Sequence, residues 1–309
     1  MCKKEMCRKP MYIVAAVIVL LLAVGSFGYF YGSRHFVVDE RTLYFDDLPD
    51  SFDGYRILQF SDFHSMAFHL GHEDDVEKIV DLINSQHSDL IVFTGDLVTI
   101  QSNELDGFEE SLSQLNAPDG VISITGNHDY GLYNRQFTNR QRIEDSRELH
   151  RRERRMGWQI LLNDHRIIRR GNDSIAVIGV ENDGEAPRFP SYGNLPKAMS
   201  GIAEGTFEVL LSHDPTHWRR KVIPDTDIQL TLSGHTHAGQ FKLFGWSPVS
   251  MVYDEWSGVY ENSKQDKSGH PVRQTLVVSE GIGCVPVAFR IGAWPEIKVI
   301  TLKKSTKNK

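Results

Sequence analysis

Five short polar motifs carry residue types that bind metal ions, and each follows an apolar run. The motifs are SDFH at 61–64, TGDL at 94–97, TGNHD at 125–129, LSHD at 211–214 and SGHTH at 233–237. They offer Asp62, His64, Asp96, Asn127, His128, His213, His235 and His237 as candidate site residues. Oxygen and imidazole donors without a thiolate suit Mn, Fe or Zn. Because the donors are too many for a single ion, the motifs predict two divalent ions that share a carboxylate.

The charge of such a site favours an anionic substrate. Two divalent cations carry four positive charges, of which Asp62 and Asp96 would offset two, while histidine and asparagine ligands are neutral. A pair of ions also lowers the pKa of bound water, which gives a hydroxide nucleophile near neutral pH. Phosphate esters require stabilisation of both the nucleophile and the equatorial oxygens. The motifs therefore predict the hydrolysis of phosphate esters.

The apolar runs are predicted strands that bring the motifs together. They cover residues 55–62, 89–96, 120–129, 175–181, 207–214, 228–237, 275–281 and 296–302. Between the first two, residues 73–84 predict an amphipathic helix with Val76, Ile79, Val80 and Ile83 on one face. This alternation predicts parallel strands with right-handed crossovers, and the later strands, with fewer helices between them, indicate a second, more mixed sheet. Ligands collect beyond the carboxyl ends of such strands, so the motifs should converge on one site.

His235 and His237 stand two positions apart at the end of the predicted strand 228–237. In a strand, side chains at i and i+2 point to the same face, so both imidazoles would face the site together. A single histidine or aspartate at a strand end is more often a cap or a satisfied surface group. Five such strand ends in one chain are not explained in that way.

The N-terminal residues have the pattern of a membrane anchor. A basic flank at 1–10 precedes an uncharged apolar segment at 11–32, which is long enough to cross a bilayer as a helix. Four acidic residues follow between positions 39 and 47. The positive-inside rule then predicts a single-pass protein of the cell membrane whose catalytic domain is extracytoplasmic. The alternative is a cleaved signal peptide with a small-residue site at Ala23–Gly25, but apolar character continues to Tyr31.

Composition excludes some other classes of protein. The formal net charge of -7 argues against a general nucleic-acid-binding protein. Cys284 is the one cysteine outside the first few residues, so no disulfide can form within the body of the chain. Residues 139–158 interleave arginine with glutamate, which predicts a solvated helix, with an anion-binding or membrane-surface face as the alternative. Without a repeat or a low-complexity linker, one domain over 50–302 is expected.

The ordered set D-x-H, G-D, G-N-H-D, S-H-D and G-H-x-H resembles the calcineurin-like metallophosphoesterase superfamily over residues 55–302. The N-terminal anchor, GHTHAGQ and the closing RIGAWPEI are most similar to its membrane-associated bacterial phosphohydrolase branch. The resemblance implies an α/β fold, a four-layer α/β/β/α sandwich of two mixed sheets. Met66 and Ala238 stand where the family often has glycine; neither change removes a ligand.

The resemblance also implies a role for each residue. Asp62, His64 and His237 would hold the first ion, Asn127, His213 and His235 the second, with Asp96 bridging both. His128 would be the catalytic residue that faces the substrate, and Asp129 would orient it. Apart from the resemblance, the position of Arg290 just before the last predicted strand indicates contact with a phosphate, or else a surface ion pair.

The substrate stays open at this point. Phosphodiesters, monoesters and pyrophosphates all fit the site, and the phosphate could belong to a lipid head group or to a soluble compound. The alternative to an enzyme is a non-catalytic metal-binding scaffold with the same fold. Such a scaffold would be expected to lose ligands, whereas every motif keeps its own.

Overall fold

The computed structural model describes residues 2–69, 71–186, 189–265, 269 and 271–305, with side chains from residue 11 onward, so the side chains of the predicted basic flank 1–10 lie outside it. The strands are β1 Val37–Phe45, β2 Arg56–Phe60, β3 Leu90–Phe93, β4 Val121–Ser123, β5 Gln159–Ile160, β6 Asp164–Arg170, β7 Asp173–Gly179, β8 Phe207–Leu211, β9 Leu230–Ser233, β10 Gly258–Gln265, β11 Pro271–Val278 and β12 Glu296–Lys304. The helices are α1 Cys2–Phe30, α2 Asp74–Asn84, α3 Glu109–Leu112, α4 Asn139–Arg155, α5 Leu195–Ala198 and α6 Ile223–Asp225, the last continuing a π-helical turn at Trp218–Val222.

The strands form two mixed sheets. The first has the order β1-β12-β2-β3-β4-β5, and the second has the order β10-β11-β9-β8-β7-β6. β2, β3 and β4 are parallel neighbours, as the alternation of strands and helices predicts. In the second sheet β7, β8, β9 and β11 run parallel, with β6 and β10 antiparallel at the edges. The carboxyl ends of the central parallel strands carry the five motifs.

Three apolar cores separate four layers. Successive side chains of β2 point to opposite faces of the first sheet and so contribute to two of these cores. Leu58 and Phe60 pack toward α2, while Ile57 packs between the sheets. Ile57 meets residues of the second sheet such as Val209 there. A third core lies on the outer face of the second sheet and includes Trp218. The chain therefore has the four-layer α/β/β/α sandwich that the resemblance implies.

Four strands lie outside the strand ranges predicted between residues 55 and 302: β1, β5, β6 and β10. All four are edge strands, where partial exposure removes the apolar run that marks a central strand. β1 pairs with β12 in parallel from Val37 to Phe45, so the first sheet begins before residue 50. On the N-terminal side the sheet thus extends beyond the range 50–302.

The apolar N-terminal segment is helical and packs on the domain at its end. Met11–Arg34 is the stretch of the described chain that is long and apolar enough to cross a membrane, with 24 residues and a mean hydropathy of 2.5. Only 6% of its most apolar window is buried. Near its end, the backbone N–H of Arg290 donates to the Gly28 carbonyl at 3.1 Å, and Arg34 pairs with Asp75 at 2.6 Å. The helix is therefore in direct contact with the domain.

Candidate metal centre

The structure brings the predicted ligands together beyond the carboxyl ends of five strands. Asp62 and His64 follow β2, Asp96 follows β3, Asn127 and His128 follow β4, His213 follows β8, and His235 and His237 follow β9. The prediction that His235 and His237 lie on a strand is wrong, because β9 ends at Ser233. Both histidines lie in the loop that follows, with φ of 75° and 51°. The turn of this loop, not the alternation of a strand, brings both residues to the site.

Left-handed backbone is concentrated in these loops. Asp62, His64, Asp96, His235 and His237 all have φ between 47° and 75°. Residues other than glycine rarely adopt this conformation, because Cβ crowds the following carbonyl oxygen at a cost of roughly 1–2 kcal/mol each. Such strain persists only where the surrounding structure imposes it, and it clusters at functional sites. Its concentration here marks these loops as the functional end of the molecule.

Two glycines allow the loops to approach closely. A Cβ on Gly126 would lie 2.2 Å from Asp96 Oδ1, and one on Gly234 would lie 2.3 Å from Asp62 Oδ2. Neither distance is sterically possible, so each position requires glycine. The glycines of G-N-H-D and G-H-x-H are thus explained by the contact between neighbouring loops.

One group of donors contains Asp62, His64 and His237. His64 Nε2 and His237 Nε2 are 3.1 Å apart, and His237 Nε2 is 3.3 Å from Asp62 Oδ1. All three residues are buried, and their candidate ligand atoms lie within 4.8 Å of one another. This is the set that the resemblance assigns to the first ion.

A second group contains Asp96, His213 and His235, whose candidate ligand atoms also lie within 4.8 Å of one another. His213 Nε2 is 3.1 Å from Asp96 Oδ2 and 3.2 Å from Asn127 Oδ1. Asp96 Oδ2 is also 3.7 Å from His64 Nε2 in the first group. One carboxylate oxygen therefore lies between the two groups of donors.

These distances fit divalent ions. Two donor atoms that are each about 2.1 Å from one ion lie roughly 3.0–3.4 Å apart at tetrahedral or octahedral angles. The four closest pairs of donors are 3.1–3.3 Å apart. Imidazole and carboxylate donors without thiolate are compatible with Mn, Fe and Zn. The donor set and its spacing thus suit the metals that were expected from the sequence.

The histidines of the site differ in their affinity for protons. Burial and the nearby His128 lower the pKa of His64, and burial lowers the pKa of His235, which keeps both rings neutral as metal ligation requires. Burial also opposes the charge of His213, but the Asp96 carboxylate outweighs it and raises the pKa of His213 to about 10. His213 Nδ1 donates to the Thr94 carbonyl at 2.7 Å, so Nε2 is the atom that faces Asp96. A metal ion at Nε2 would replace the proton there.

His128 lies at the rim of the site and is half-buried. Its Nδ1 donates to the Thr99 carbonyl at 2.6 Å, which leaves Nε2 as the nitrogen available to a substrate or an ion. Its ring stacks on Tyr133 with centroids 3.9 Å apart. His128 also forms a third group of candidate ligand atoms with His64 and Asp96. Proximity to the candidate ligands and partial exposure are both compatible with a catalytic role.

The prediction that Asp129 orients His128 is wrong. The Asp129 carboxylate accepts hydrogen bonds from the backbone N–H groups of residues 96–98 and Gly126. Burial and the Asp96 carboxylate raise the pKa of Asp129 to about 7. Asp129 therefore holds the loop that carries Asp96, and a backbone carbonyl orients His128 instead.

Both predictions for Arg290 are also wrong, because its side chain is fully buried. The guanidinium donates to the carbonyls of Glu280, Gly283 and Ala293 at distances of 2.6–3.1 Å. Its Nη2 also lies 3.2 Å from His237 Nδ1. Since its donors are engaged and it does not reach solvent, Arg290 supports the loop behind His237 rather than binding phosphate.

Two tyrosines contact the candidate ligands and were not predicted. Asn127 Nδ2 donates to the Tyr133 hydroxyl at 2.7 Å, and the Tyr253 hydroxyl lies 2.8 Å from His235 Nε2. Tyr133 follows the G-N-H-D motif closely, so its position along the chain was a usable signal. Tyr253 comes from a segment without a motif, and only the folded chain brings it to His235.

The arginine-rich segment forms α4, and its two faces differ. One face is solvated and carries exposed pairs such as Arg140–Glu144 at 2.7 Å, as the interleaved charges predict. The other face borders a cavity of about 570 Å³, whose lining includes Arg142, Arg147, His150, Tyr130 and Tyr192. Because Tyr130 ends the turn that carries His128, this cavity adjoins the site. The anion-binding alternative for this segment stays a prediction.

Two mixed sheets with buried histidine and carboxylate groups at the strand ends define a metal-dependent hydrolase. The family model for calcineurin-like phosphoesterase matches residues 55–239, and the chain belongs to this family. It is therefore a metal-dependent phosphoesterase, and its substrates are phosphate esters. This confirms the superfamily that the five motifs indicate.

Relatives resemble the chain over most of its length. It is 32% identical over 293 residues to the uncharacterized metallophosphoesterase YkuE of Bacillus subtilis (strain 168), with 92% of each chain covered. It is 30% identical over 300 residues to a transmembrane protein with metallophosphoesterase domain from Danio rerio, covering 95% of this chain and 63% of that protein. A solved dimetal phosphatase from Danio rerio is 12% identical, covers 74% of this chain and 88% of its own, and has a TM-score of 0.38.

Proposed function

We propose that the protein is a membrane-anchored phosphoesterase that uses two divalent ions, Mn, Fe or Zn. Asp62, His64 and His237 would hold the first ion, and Asn127, His213 and His235 the second. The observation that carries this proposal is Asp96 Oδ2, which lies 3.7 Å from His64 Nε2 and 3.1 Å from His213 Nε2 and would bridge the ions. When bound, the ions supply positive charge for the phosphoryl oxygens and lower the pKa of water.

The remaining roles belong to side chains at the rim. His128 would protonate the leaving oxygen or stabilise charge on the phosphoryl group, because its Nδ1 is fixed by a carbonyl and Nε2 is available. Tyr133 stacks on His128 and accepts a hydrogen bond from Asn127. It would therefore keep His128 aligned with the donor groups, which fixes the distance between the proton donor and the phosphoryl group.

The substrate class is tested with the metal-loaded full-length chain in detergent. A panel of aryl phosphomonoesters, phosphodiesters and pyrophosphates, soluble or lipid-linked, is assayed before and after chelation. We expect turnover of at least one class, loss of turnover on chelation, and two ions per chain by elemental analysis. One ion per chain in the fully active protein would contradict the two-ion centre, and activity that survives complete metal removal would contradict the mechanism.

We also propose that α1 is an uncleaved anchor and that the catalytic domain is extracytoplasmic. Leu20 and Leu22 are 62% and 66% exposed, and a bilayer would cover such side chains. A relative named as a transmembrane protein and the basic flank before residue 11 support the same topology. The expected organisation is a cytoplasmic flank at 1–10, an anchor at 11–32 and the catalytic domain over 50–302, with β1 added to its first sheet.

This topology is tested in cells that carry an N-terminal tag on the chain. The tag should stay on the mature protein in the membrane fraction, and protease added outside the cytoplasmic membrane should digest the catalytic domain. Loss of the tag would indicate a cleaved signal peptide, and a protected catalytic domain would reverse the orientation.

A further inference from the structure

An exposed apolar segment lies beyond the metal centre. We call residues 241–252 the apolar loop; its exposed apolar side chains are Leu243, Phe244, Trp246, Met251 and Val252. Phe244 is exposed to 106% of its reference area and Met251 to 81%. Single exposed apolar residues are common on soluble proteins, but a cluster within one short segment marks an interaction surface.

The tip of the apolar loop is a tight turn that projects an aromatic ring. Leu243 and Trp246 exchange backbone hydrogen bonds at 2.9 and 3.0 Å. The two residues between them, Phe244 and Gly245, have φ of 50° and 79°. Such turns favour glycine, asparagine or aspartate at both positions, so phenylalanine is strained at the first. The Phe244 side chain is fully exposed, so burial of its ring does not compensate for this strain.

The apolar loop lies next to the end of the candidate membrane span. The segment around Arg290 and Ile291 connects the two: Arg290 N–H donates to the Gly28 carbonyl at 3.1 Å, and Lys242 N–H donates to the Ile291 carbonyl at 2.7 Å. On the helix side, a Cβ on Gly32 would lie 1.8 Å from the Arg290 carbonyl oxygen. Hydrogen-bonded segments are about 4.8 Å apart, so the loop begins roughly 10 Å from the end of α1.

The apolar loop itself contains few charged residues, which suits a lipid surface. From His235 to Tyr253 the sequence contains no aspartate or glutamate, and Lys242 is its one lysine or arginine. Val287, on the segment that touches both α1 and the loop, is also 57% exposed. Aromatic side chains such as Trp246 are typical of the membrane–water interface, where one end of the ring is apolar and the other hydrated.

The same loop is fixed to the metal centre at both ends. His237 precedes it, and Tyr253, which follows it, contacts His235 Nε2 at 2.8 Å. Within it, Ser247 is fully buried and its hydroxyl donates to the Ala238 carbonyl at 2.7 Å. A surface that binds the loop therefore has a fixed position relative to the ligands.

We infer that the apolar loop, with Val287, inserts into the interface of the bilayer that holds α1. The inference rests on the proposed membrane anchor and deepens the proposed function. Two contacts with one bilayer, α1 and the loop, would fix the orientation of the domain and hold the metal centre beside the head groups. The substrate class that this orientation serves is a phosphoester presented by a lipid.

The test uses the full-length chain in phosphatidylcholine–phosphatidylglycerol vesicles. Trp246 fluorescence, taken as the difference between wild type and Trp246→Phe, should be quenched by lipids brominated near the head group. The variant Phe244→Ser/Trp246→Ser should hydrolyse a lipid-presented phosphodiester about 10-fold more slowly than wild type, because interfacial insertion is lost. Its rate on a soluble aryl phosphodiester should equal that of wild type.

The matched control is Tyr44→Ser. Tyr44 is 55% exposed on β1, and it lies seven residues beyond Val37, or about 23 Å along the strand. Its loss should leave both rates unchanged. Unquenched Trp246 together with equal lipid-substrate rates for wild type and double variant would overturn the inference.

Two further outcomes separate the inference from the proposed function. Quenching of Trp246 in a metal-loaded protein that hydrolyses no monoester, diester or pyrophosphate of the panel would support the bilayer contact while refuting the phosphoesterase reaction. Hydrolysis of both phosphodiesters with unquenched Trp246 would support the phosphoesterase reaction and argue against the bilayer contact. If the double variant dissociates an oligomer in detergent and Trp246 is unquenched in vesicles, a second copy covers the loop and the inference is wrong.

Discussion

The metal centre and the apolar loop both depart from the usual distribution of side chains. The metal centre buries polar groups, whereas the apolar loop exposes apolar ones. At the metal centre, His64 and Asp62 are completely buried although both can carry charge. Phe244 and Met251, seven and fourteen residues after His237, are almost wholly exposed. Both regions have strained backbone, with positive φ at five of the candidate ligands and at Phe244.

The difference between the two regions is what each requires from outside the chain. Buried carboxylates and imidazoles cost free energy unless charges or hydrogen bonds compensate, and divalent ions supply the charge that the metal centre needs. Exposed apolar area costs roughly 25 cal/mol per Å² in water, which a bilayer would remove. We interpret the metal centre as a site that binds metal and the apolar loop as a surface that binds lipid, with Arg290 between them.

The largest effect should come from Asp96→Ala, which removes the carboxylate that lies between the two groups of candidate ligands. We expect turnover to fall by roughly 10⁴-fold or more, because neither water activation nor charge stabilisation survives. Metal content should fall as well, while vesicle quenching of Trp246 is unchanged. The control is Asp106→Ala, an exposed carboxylate paired with Arg152. An Asp96 variant with two ions per chain and a normal rate would refute the bridge.

The second effect separates a ligand from a catalytic residue. His128→Ala should lower kcat by roughly 10²- to 10⁴-fold, as for a lost proton donor or charge stabiliser. Elemental analysis should still find both ions. His165→Ala is a suitable control because His165 contacts the Ala198 carbonyl on the outer face of the second sheet. If the His128→Ala variant loses metal, His128 is itself a ligand. This would agree with the group of candidate ligand atoms that His128 forms with His64 and Asp96.

The third prediction concerns the link between the regions. Arg290→Met leaves the carbonyls of Glu280, Gly283 and Ala293 without their donor, which should destabilise the fold by about 3 kcal/mol. For a domain of this size we expect Tm to fall by roughly 6–12 °C. Arg273→Met is the control, since Arg273 is exposed and pairs with Glu261 on the neighbouring strand. A decrease in Tm no larger than that of the control would show that Arg290 does not stabilise the segment between the two regions.

The smallest effect should come from Tyr253→Phe, which removes only the hydroxyl beside His235. The affinity for the second ion should fall about 10-fold, because such contacts orient a ligand without binding the metal. Isothermal titration of the metal-stripped protein measures this change directly. With saturating metal, kcat should return to within a few-fold of wild type. A rate defect that excess metal does not rescue would assign Tyr253 to the reaction itself.

The sequence by itself determined the features that depend on local patterns. Apolar runs identified the central strands, and the spacing of Val76, Ile79, Val80 and Ile83 identified α2, whose four residues are buried. The length and composition of the N-terminal segment identified α1 as a candidate span. Residue types at the strand ends identified the donors, because parallel strands of a sheet bring their carboxyl ends to one edge.

Only the tertiary structure decided the features that depend on contacts between distant segments. β1 carries little apolar signal of its own and becomes a strand by pairing with β12, where Lys298 contacts Asp39 at 2.9 Å. The roles of Asp129 and Arg290 were mistaken because a side chain's partner is set by packing, not by its neighbours in sequence. The apolar loop became visible as a surface only when its side chains proved exposed, since burial depends on the whole fold and not on residue type.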